Sequence, residues 1–163
     1  MLAKTLYLIR HGKAEEHSFL KRDYERDLVS KGIERGKIVA NKIKAQLQAS
    51  NLLVISSSAN RALQTAEVFC EQLGFPQNDI QQTKKIYEAH YLDILEVINQ
   101  VGNEIDTLLV FGHNPGLSYL TDYLCNVNTD LKTAHCAKII LPERFHFSDV
   151  SGGTCHLETV ISE

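Results

Sequence analysis

The amino-acid sequence predicts an α/β fold, a three-layer sandwich in which a mainly parallel central sheet is flanked by helices. Three short apolar runs lack the polar alternation of half-exposed strands, as expected of strands buried on both faces: residues 5–9, 52–55 and 107–111. Segments with apolar residues at helical spacing lie between these runs. Strands that alternate with helices are typical of a parallel sheet covered on both sides.

Four helices are expected from the spacing of apolar and small residues. The first three are marked by Ile33, Gly36, Ala40, Ile43 and Leu47, by Ala59, Ala62, Ala66, Phe69 and Leu73, and by Leu95 and Ile98. Gly74 and Gly102 stand where helix C-terminal caps belong. We expect the fourth helix to begin at Pro115, with Asn114 as its N-cap and three leucines facing inward: Leu117, Leu120 and Leu124.

The remaining segments are predicted as two further strands and one surface loop. Residues 136–141 and 155–160 are the strands, joined by the turn-rich segment 148–153. Residues 13–27 mix charges of both signs without apolar periodicity, which indicates a surface loop. Because this loop follows the first strand directly, it is a candidate rim of a pocket.

Length and composition limit the class of protein. The 163 residues, 44% of them hydrophobic, predict a single domain over residues 1–163 with one sizeable core. With a formal net charge of −3, the chain lacks the excess of basic residues that is typical of nucleic-acid-binding proteins. No apolar run approaches the roughly 20 residues that cross a bilayer, and none suits a signal peptide. We therefore expect a cytoplasmic protein without nucleic-acid or membrane partners.

Polar residues able to hold an anion follow each of the three apolar strands. Arg10, His11 and Gly12 follow the first, Ser56, Ser57 and Ser58 lead to Arg61 after the second, and His113 and Asn114 follow the third. The carboxyl ends of parallel strands border the crevice where ligands bind. Each residue alone could be a surface charge or a structural histidine, but unrelated surface residues have no reason to recur at three strand ends. Each of the two arginines can donate two parallel hydrogen bonds to two oxygens, which favours a phosphoryl group as the ligand.

His11 is the candidate nucleophile. The sequence lacks a GxxxxGK[ST] loop, a cysteine with an anion-binding loop, and carboxylates clustered with histidines at metal-ligand spacing. A neutral imidazole is available near neutral pH, and neighbouring cations favour that form. The other ring nitrogen must then carry a proton, which it could donate to a carbonyl such as that of Gly12.

Three motifs resemble those of the histidine phosphatase superfamily, also called the phosphoglycerate mutase-like fold. Residues 8–12 resemble its RHG signature, residues 61–66 its R-A-x-Q-T-A helix start, and residues 112–116 its second histidine motif. Order and spacing agree over roughly residues 5–124. The short chain, the Tyr87-Glu88-Ala89 element and the Gly-His-Asn-Pro-Gly form most resemble the SixA-type phosphohistidine phosphatases.

The resemblance implies a role for each motif residue. It implies that His11 is phosphorylated transiently, that Arg10, Arg61 and His113 bind the phosphoryl oxygens, and that Glu88 is the general acid. Gly12 and Asn114 complete the expected phosphate-binding set, and no metal or cofactor is expected. The sequence departs from the family pattern in having His17 where many members carry asparagine, and Ser57-Ser58 where Ser-Pro is usual.

The sequence thus predicts a metal-independent phosphohistidine phosphatase that acts on phosphorylated proteins through phospho-His11. One alternative is a phosphomonoesterase for a small phosphorylated metabolite. The other is a binding module that holds phosphate without turnover. A mutase is disfavoured because residues 88–106 are too short to form much of a lid.

Overall fold

The computed structural model describes residues 3–48 and 51–163. Within these ranges six strands form one sheet: β1 (Thr5–Arg10), β2 (Leu52–Ser57), β3 (Gln81–Thr83), β4 (Thr107–Gly112), β5 (Cys136–Ile140) and β6 (His156–Ile161). The strand order is β3-β2-β4-β1-β5-β6. The first four strands pair in parallel, and β5 and β6 add an antiparallel edge. The predicted mainly parallel sheet and the two C-terminal strands are confirmed, whereas the short β3 was not predicted.

Four α-helices cover the sheet: α1 (Ser30–Gln46), α2 (Asn60–Leu73), α3 (Tyr91–Asn99) and α4 (Gly116–Cys125). Successive β1 residues face opposite layers, since Tyr7 and Ile9 pack with the α1 and α2 residues while Leu6 and Leu8 pack with those of α3 and α4. The predicted three-layer arrangement is therefore confirmed. Every residue of β4 is buried, as its continuous apolar run predicts.

The ends of the helices differ in part from the prediction. Gly74 does cap α2, in the left-handed conformation with φ +75°. The expected cap at Gly102 is wrong, because α3 ends at Asn99 and Gln100 is its C-cap. The expected helix starts at Ala59 and Pro115 are each one residue early; both residues are N-caps instead.

Two further expectations need correction. The N-cap of α4 is Pro115 and not Asn114, which is joined to Pro115 by a cis peptide bond. Asn114 Oδ1 still accepts a hydrogen bond from the Ser118 amide, at 3.2 Å. In α1 the buried face is Gly32, Gly36, Val39, Ala40 and Ile43, whereas Ile33 is 38% exposed. The close approach of α1 to the chain after β1 turns the glycine side of the helix inward.

The loop of residues 13–27 lies on the surface, as predicted, and it is well fixed. Lys21 bridges Glu15 and Asp27 with Nζ–oxygen distances of 2.7 and 2.8 Å, and a short 3₁₀ helix spans Asp23–Glu25. This loop stands beside the edge where β1, β2 and β4 end, at Arg10, Ser57 and Gly112. In the part of the chain that the structure describes, no helix is long and apolar enough to cross a membrane.

Candidate active site

An open cavity of about 350 Å³ lies at the carboxyl ends of β1, β2 and β4. It brings together six of the predicted site residues: Arg10, His11, Arg61, Glu88, His113 and Asn114. Lys13, Ala14, His17, Asp23 and Arg26 of the 13–27 loop complete one wall, with Thr133. That loop is therefore the rim of the cavity, as its position in the sequence predicts.

His11 is held in the tautomer that nucleophilic attack requires. Its Nδ1 lies 2.7 Å from the Gly12 carbonyl oxygen, as predicted, and since a carbonyl can only accept, Nδ1 carries the proton. Nε2 is then left with its lone pair. Burial, with 9% of the residue exposed, and the nearby charges of Arg61 and Arg10 together outweigh the Gly12 hydrogen bond and lower the pKa of His11 to about 4. His11 is thus neutral near pH 7.

The backbone of Gly12 bonds to neighbouring residues, and its expected contact with the anion stays a prediction. Its amide donates to Thr65 Oγ1 at 2.9 Å, and its carbonyl accepts from His11, so both backbone polar groups are engaged. Its α-carbon faces α1, where a Cβ would lie 3.1 Å from the Gly32 carbonyl oxygen. Glycine at this position allows the chain after β1 to pass close against α1.

Arg10 and Arg61 are each held by hydrogen bonds from the terminal nitrogens of the guanidinium. Arg10 Nη1 donates to the Leu131 carbonyl at 3.1 Å. Arg61 Nη1 and Nη2 donate to the carbonyl and the carboxylate of Asp23, at 2.7 and 3.0 Å. Burial lowers the pKa of Arg10, although a guanidinium remains charged at any ordinary pH. Both side chains therefore present fixed positive charge to the cavity.

Ser57 orients His113 through a hydrogen bond of 2.8 Å between Oγ and Nε2. Ser57 Oγ also accepts the Ala59 amide at 3.3 Å, and its hydroxyl keeps both a hydrogen and a second lone pair, so it can pair with His113 Nε2 in either tautomer. When the Ser57 hydroxyl donates, Nε2 accepts and Nδ1 carries the proton. Burial, followed by the charges of His11 and Arg61, lowers the pKa of His113 to about 3, so this histidine is also neutral near pH 7.

Three buried nitrogens around the cavity have no hydrogen-bond partner within residues 3–48 and 51–163: Arg10 Nε, Arg61 Nε and His113 Nδ1. Buried polar groups are paired in nearly all proteins, so a cluster of unpaired nitrogens that includes two guanidinium donors indicates a binding site for an acceptor. A tetrahedral oxyanion would supply several charged acceptors at once. The His11 and His113 rings lie 5.2 Å apart between centroids, which places His11 beside these nitrogens.

The remaining predicted residues lie at the edge of the cavity. Asn114 Nδ2 donates to the Leu131 carbonyl at 2.7 Å, which holds the chain segment that also anchors Arg10. The His17 side chain is 77% exposed, with Nδ1 3.5 Å from an Asp23 oxygen. Glu88 is exposed and has φ +48°, a left-handed conformation that costs energy for a non-glycine residue and is often found at functional sites.

Sequence reasoning missed Asp23, Arg26, Tyr87 and Thr65 as parts of the site. The Asp23 carboxylate accepts from Tyr87 at 2.6 Å and from Arg26 Nε at 3.0 Å, besides Arg61. Nothing in the sequence distinguishes Asp23 from Asp27, four residues later, because their partners come from distant segments. Ser57 was noted only as one of three possible anion ligands.

Comparisons with known proteins identify the family of the chain. Residues 6–128 match the family model of the histidine phosphatase superfamily (branch 1), and the chain belongs to that superfamily. An uncharacterized protein of Mycobacterium tuberculosis strain H37Rv is 31% identical over 127 residues, which cover 77% of this chain and 76% of the relative.

Several solved structures share the fold. A protein from Agrobacterium tumefaciens assigned as the phosphohistidine phosphatase SixA has a TM-score of 0.80 at 20% identity, with full coverage of both chains. The protein histidine phosphatase SixA in complex with tungstate has a TM-score of 0.79 at 23% identity, covering 97% of this chain and 96% of that one. A mycobacterial glucosyl-3-phosphoglycerate phosphatase has a TM-score of 0.70 at 13% identity, covering 99% and 100%. The chain is thus similar to phosphatases of two substrate classes.

Proposed function

We propose that this protein is a phosphohistidine phosphatase in which His11 is the nucleophile. The observation that carries the proposal is the cluster of unpaired buried nitrogens on Arg10, Arg61 and His113 beside a neutral His11. The SixA complex with tungstate, a tetrahedral oxyanion, supports the same reading of the cavity.

The reaction follows from the tautomer of His11. The Nε2 lone pair attacks phosphorus and forms a P–N bond, while the P–N bond to the imidazole of the substrate breaks in line. Arg10, Arg61 and His113 donate to the equatorial oxygens as their charge develops. Water then attacks phospho-His11, loses its proton to the surroundings, and returns His11 to its starting state with release of inorganic phosphate.

Metal independence is part of the proposal. Arg10 and Arg61 supply the positive charge that a divalent cation supplies in metal-dependent phosphatases. No group of three or more metal-ligating side chains occurs in the described residues. Dialysis against a chelator should therefore leave the activity unchanged.

A small phosphorylated metabolite is the second candidate substrate, because the glucosyl-3-phosphoglycerate phosphatase shares the fold. The two readings differ in their need for an acid. An alkoxide leaves only with proton donation, whereas imidazole or an activated phenolate departs readily. We propose Glu88, at the mouth of the cavity, as the general acid, with its importance depending on the leaving group.

The decisive experiment compares kcat/KM for a phosphohistidine protein, an aryl phosphate and a panel of alkyl phosphates, using the parent enzyme and Glu88→Gln. We expect a preference for phosphohistidine and a loss in Glu88→Gln confined to the alkyl substrates, by roughly 10²-fold or more. A preference for one alkyl phosphate supports the metabolite phosphatase instead. Equal losses on all substrates together with a lower Tm contradict the acid role, and phosphate binding without any turnover leaves only the binding module.

A further inference from the structure

Asp23 is the most heavily engaged side chain at the cavity, although no family motif quoted above contains it. Its carboxylate accepts from Arg61 Nη2 at 3.0 Å, from Arg26 Nε at 3.0 Å and from the Tyr87 hydroxyl at 2.6 Å. Its backbone carbonyl accepts from Arg61 Nη1 at 2.7 Å. Four donor groups, from the distant residues Arg61 and Tyr87 and from Arg26 of the same loop, therefore converge on one residue of the rim loop.

The carboxylate of Asp23 stays ionised in this setting. Partial burial by itself raises its pKa, but the hydrogen bond from Tyr87 and the charges and hydrogen bonds of Arg61 and Arg26 outweigh burial and hold the pKa well below its usual range. The ion pair with Arg61 is shielded from water, because the Arg61 side chain is only 5% exposed. Losing the carboxylate would leave a buried guanidinium without its counter-charge.

The contacts divide the Arg61 guanidinium into a held part and a free part. Asp23 takes one hydrogen from each terminal nitrogen, so the plane of the group is fixed by two bonds to one residue. Nε keeps its hydrogen unpaired and buried, and Nη2 retains a second hydrogen. A guanidinium fixed in this way presents the Nε side to an oxyanion without further loss of side-chain freedom.

We propose that Asp23 is the positioning residue of Arg61: it fixes the guanidinium so that the free Nε faces the transferring phosphoryl group. The proposal rests on the proposed function for its effect on turnover, but its effect on anion binding is independent of turnover. Tyr87 and Arg26 act through Asp23, since each donates to the same carboxylate. Through Asp23 the rim loop thus contributes to transition-state stabilisation by positioning Arg61.

The contrasting role for Asp23 is competition. In that role the Asp23 carboxylate repels the anionic ligand, and its hydrogen bonds to Arg61 must break before phosphate binds. Competition predicts that removing the charge strengthens anion binding and raises kcat/KM. Positioning predicts the opposite sign for both quantities.

The experiment uses Asp23→Ala and Asp23→Asn, with Asp27→Asn as the matched control. Asp27 lies in the same loop and also accepts from three side chains, Lys21, Asn60 and Gln64, but it does not line the cavity. For each variant we would measure Tm, kcat and KM on an aryl phosphate, vanadate affinity, and the ¹⁵N–¹H signal of Arg61 Nε with and without vanadate.

We expect Asp23→Ala to lower kcat on the order of 10²-fold, the usual effect of misplacing a group in an active site, and to weaken vanadate binding. The Arg61 Nε signal should shift with vanadate in the parent and respond weakly in Asp23→Ala. Asp23→Asn keeps one oxygen acceptor and should lose less activity. Asp27→Asn should change Tm only.

Unchanged kcat and vanadate affinity in folded Asp23→Ala would overturn the proposal, as would tighter binding with faster turnover. If Asp23→Ala fails to fold, the same two quantities in Asp23→Asn decide. If the parent protein hydrolyses no substrate, vanadate affinity and the Arg61 signal still test positioning, so failure of the proposed function is seen separately.

Discussion

Ser57 holds the His113 ring as Gly12 holds the His11 ring, by a short contact to one ring nitrogen. Each histidine has one ring nitrogen bonded to a neighbour at the end of a strand, at 2.8 and 2.7 Å respectively. The other ring nitrogen of each histidine is the one that the proposed reaction uses. One short contact thus orients each neutral imidazole for its proposed role, His11 as nucleophile and His113 as donor to the phosphoryl oxygens.

Ser57→Ala should reduce kcat about 10-fold, since one hydrogen bond of roughly 1 to 1.5 kcal/mol orients His113. Ser56→Ala is the control: Ser56 is equally buried, but its hydroxyl donates to the Ser57 carbonyl and not to a histidine. Steady-state kinetics on an aryl phosphate measures both. Equal effects of the two substitutions would show that Ser57 matters only for packing.

Residue roles were predictable from sequence only where the partner is local. The bond between His11 and the Gly12 carbonyl joins adjacent residues, and it is confirmed. The expected anion contact of Gly12 stays a prediction, and the sequence does not indicate that its amide donates to Thr65, 53 residues later. Asp23 was missed for the same reason, since Arg61 and Tyr87 reach it from 38 and 64 residues away.

At the scale of elements, α1 is shaped by two buried glycines that have different reasons to be glycine. A Cβ on Gly32 would lie 2.2 Å from the Lys13 carbonyl oxygen, which is rigid backbone next to Gly12. A Cβ on Gly36 would lie 3.5 Å from a Val68 methyl group, an ordinary contact. Close approach of backbones therefore requires glycine at position 32 and not at position 36.

Gly32→Ala should destabilise the protein by more than about 1 kcal/mol and lower kcat, because α1 must move away from the segment that carries His11 and Gly12. Gly36→Ala should be neutral or stabilising by up to about 1 kcal/mol, since alanine favours the helix. Urea denaturation and kinetics on both variants test this pair. Equal losses of stability in both variants would contradict the close approach of Gly32 to the Lys13 backbone.

The order of the elements was predictable because it rests on strong periodic signals. The buried runs in β1, β2 and β4 and the spacing in α2 each gave the correct element, since burial on both faces or on one face leaves a clear pattern. The polar three-residue β3 lacked such a pattern. Ends that depend on a single cap, as at Gly102, were misplaced because any nearby turn can end a helix.

Burial of neutral His11 and His113 lowers the stability of the whole protein at acidic pH. Their folded pKa values, about 4 and about 3, lie below the ordinary value near 6.5, so between pH 6.5 and 4 the folded state binds fewer protons than the unfolded state. The free energy of unfolding must therefore fall as the pH decreases through this window. Each histidine contributes at most about 1.4 kcal/mol per pH unit.

His11→Ala and His113→Ala should each flatten that dependence. Urea denaturation at several pH values between 6.5 and 4.5, in a phosphate-free buffer, measures the slope for the parent and both variants. Carboxyl groups with lowered pKa, such as Asp27, act mainly below this window, because their unfolded pKa is near 4. Identical slopes in all three proteins would contradict the burial of neutral histidines.

Direct trapping of the intermediate tests whether the phosphoryl group passes through His11, as proposed. The enzyme is mixed with a ³²P-labelled substrate, quenched within milliseconds under alkaline conditions that preserve phosphohistidine, and digested for peptide mapping. We expect label on His11, and we expect that His11→Ala binds vanadate but neither takes up label nor turns over. Stoichiometric label on another residue, or ordinary turnover by His11→Ala, would contradict the proposal.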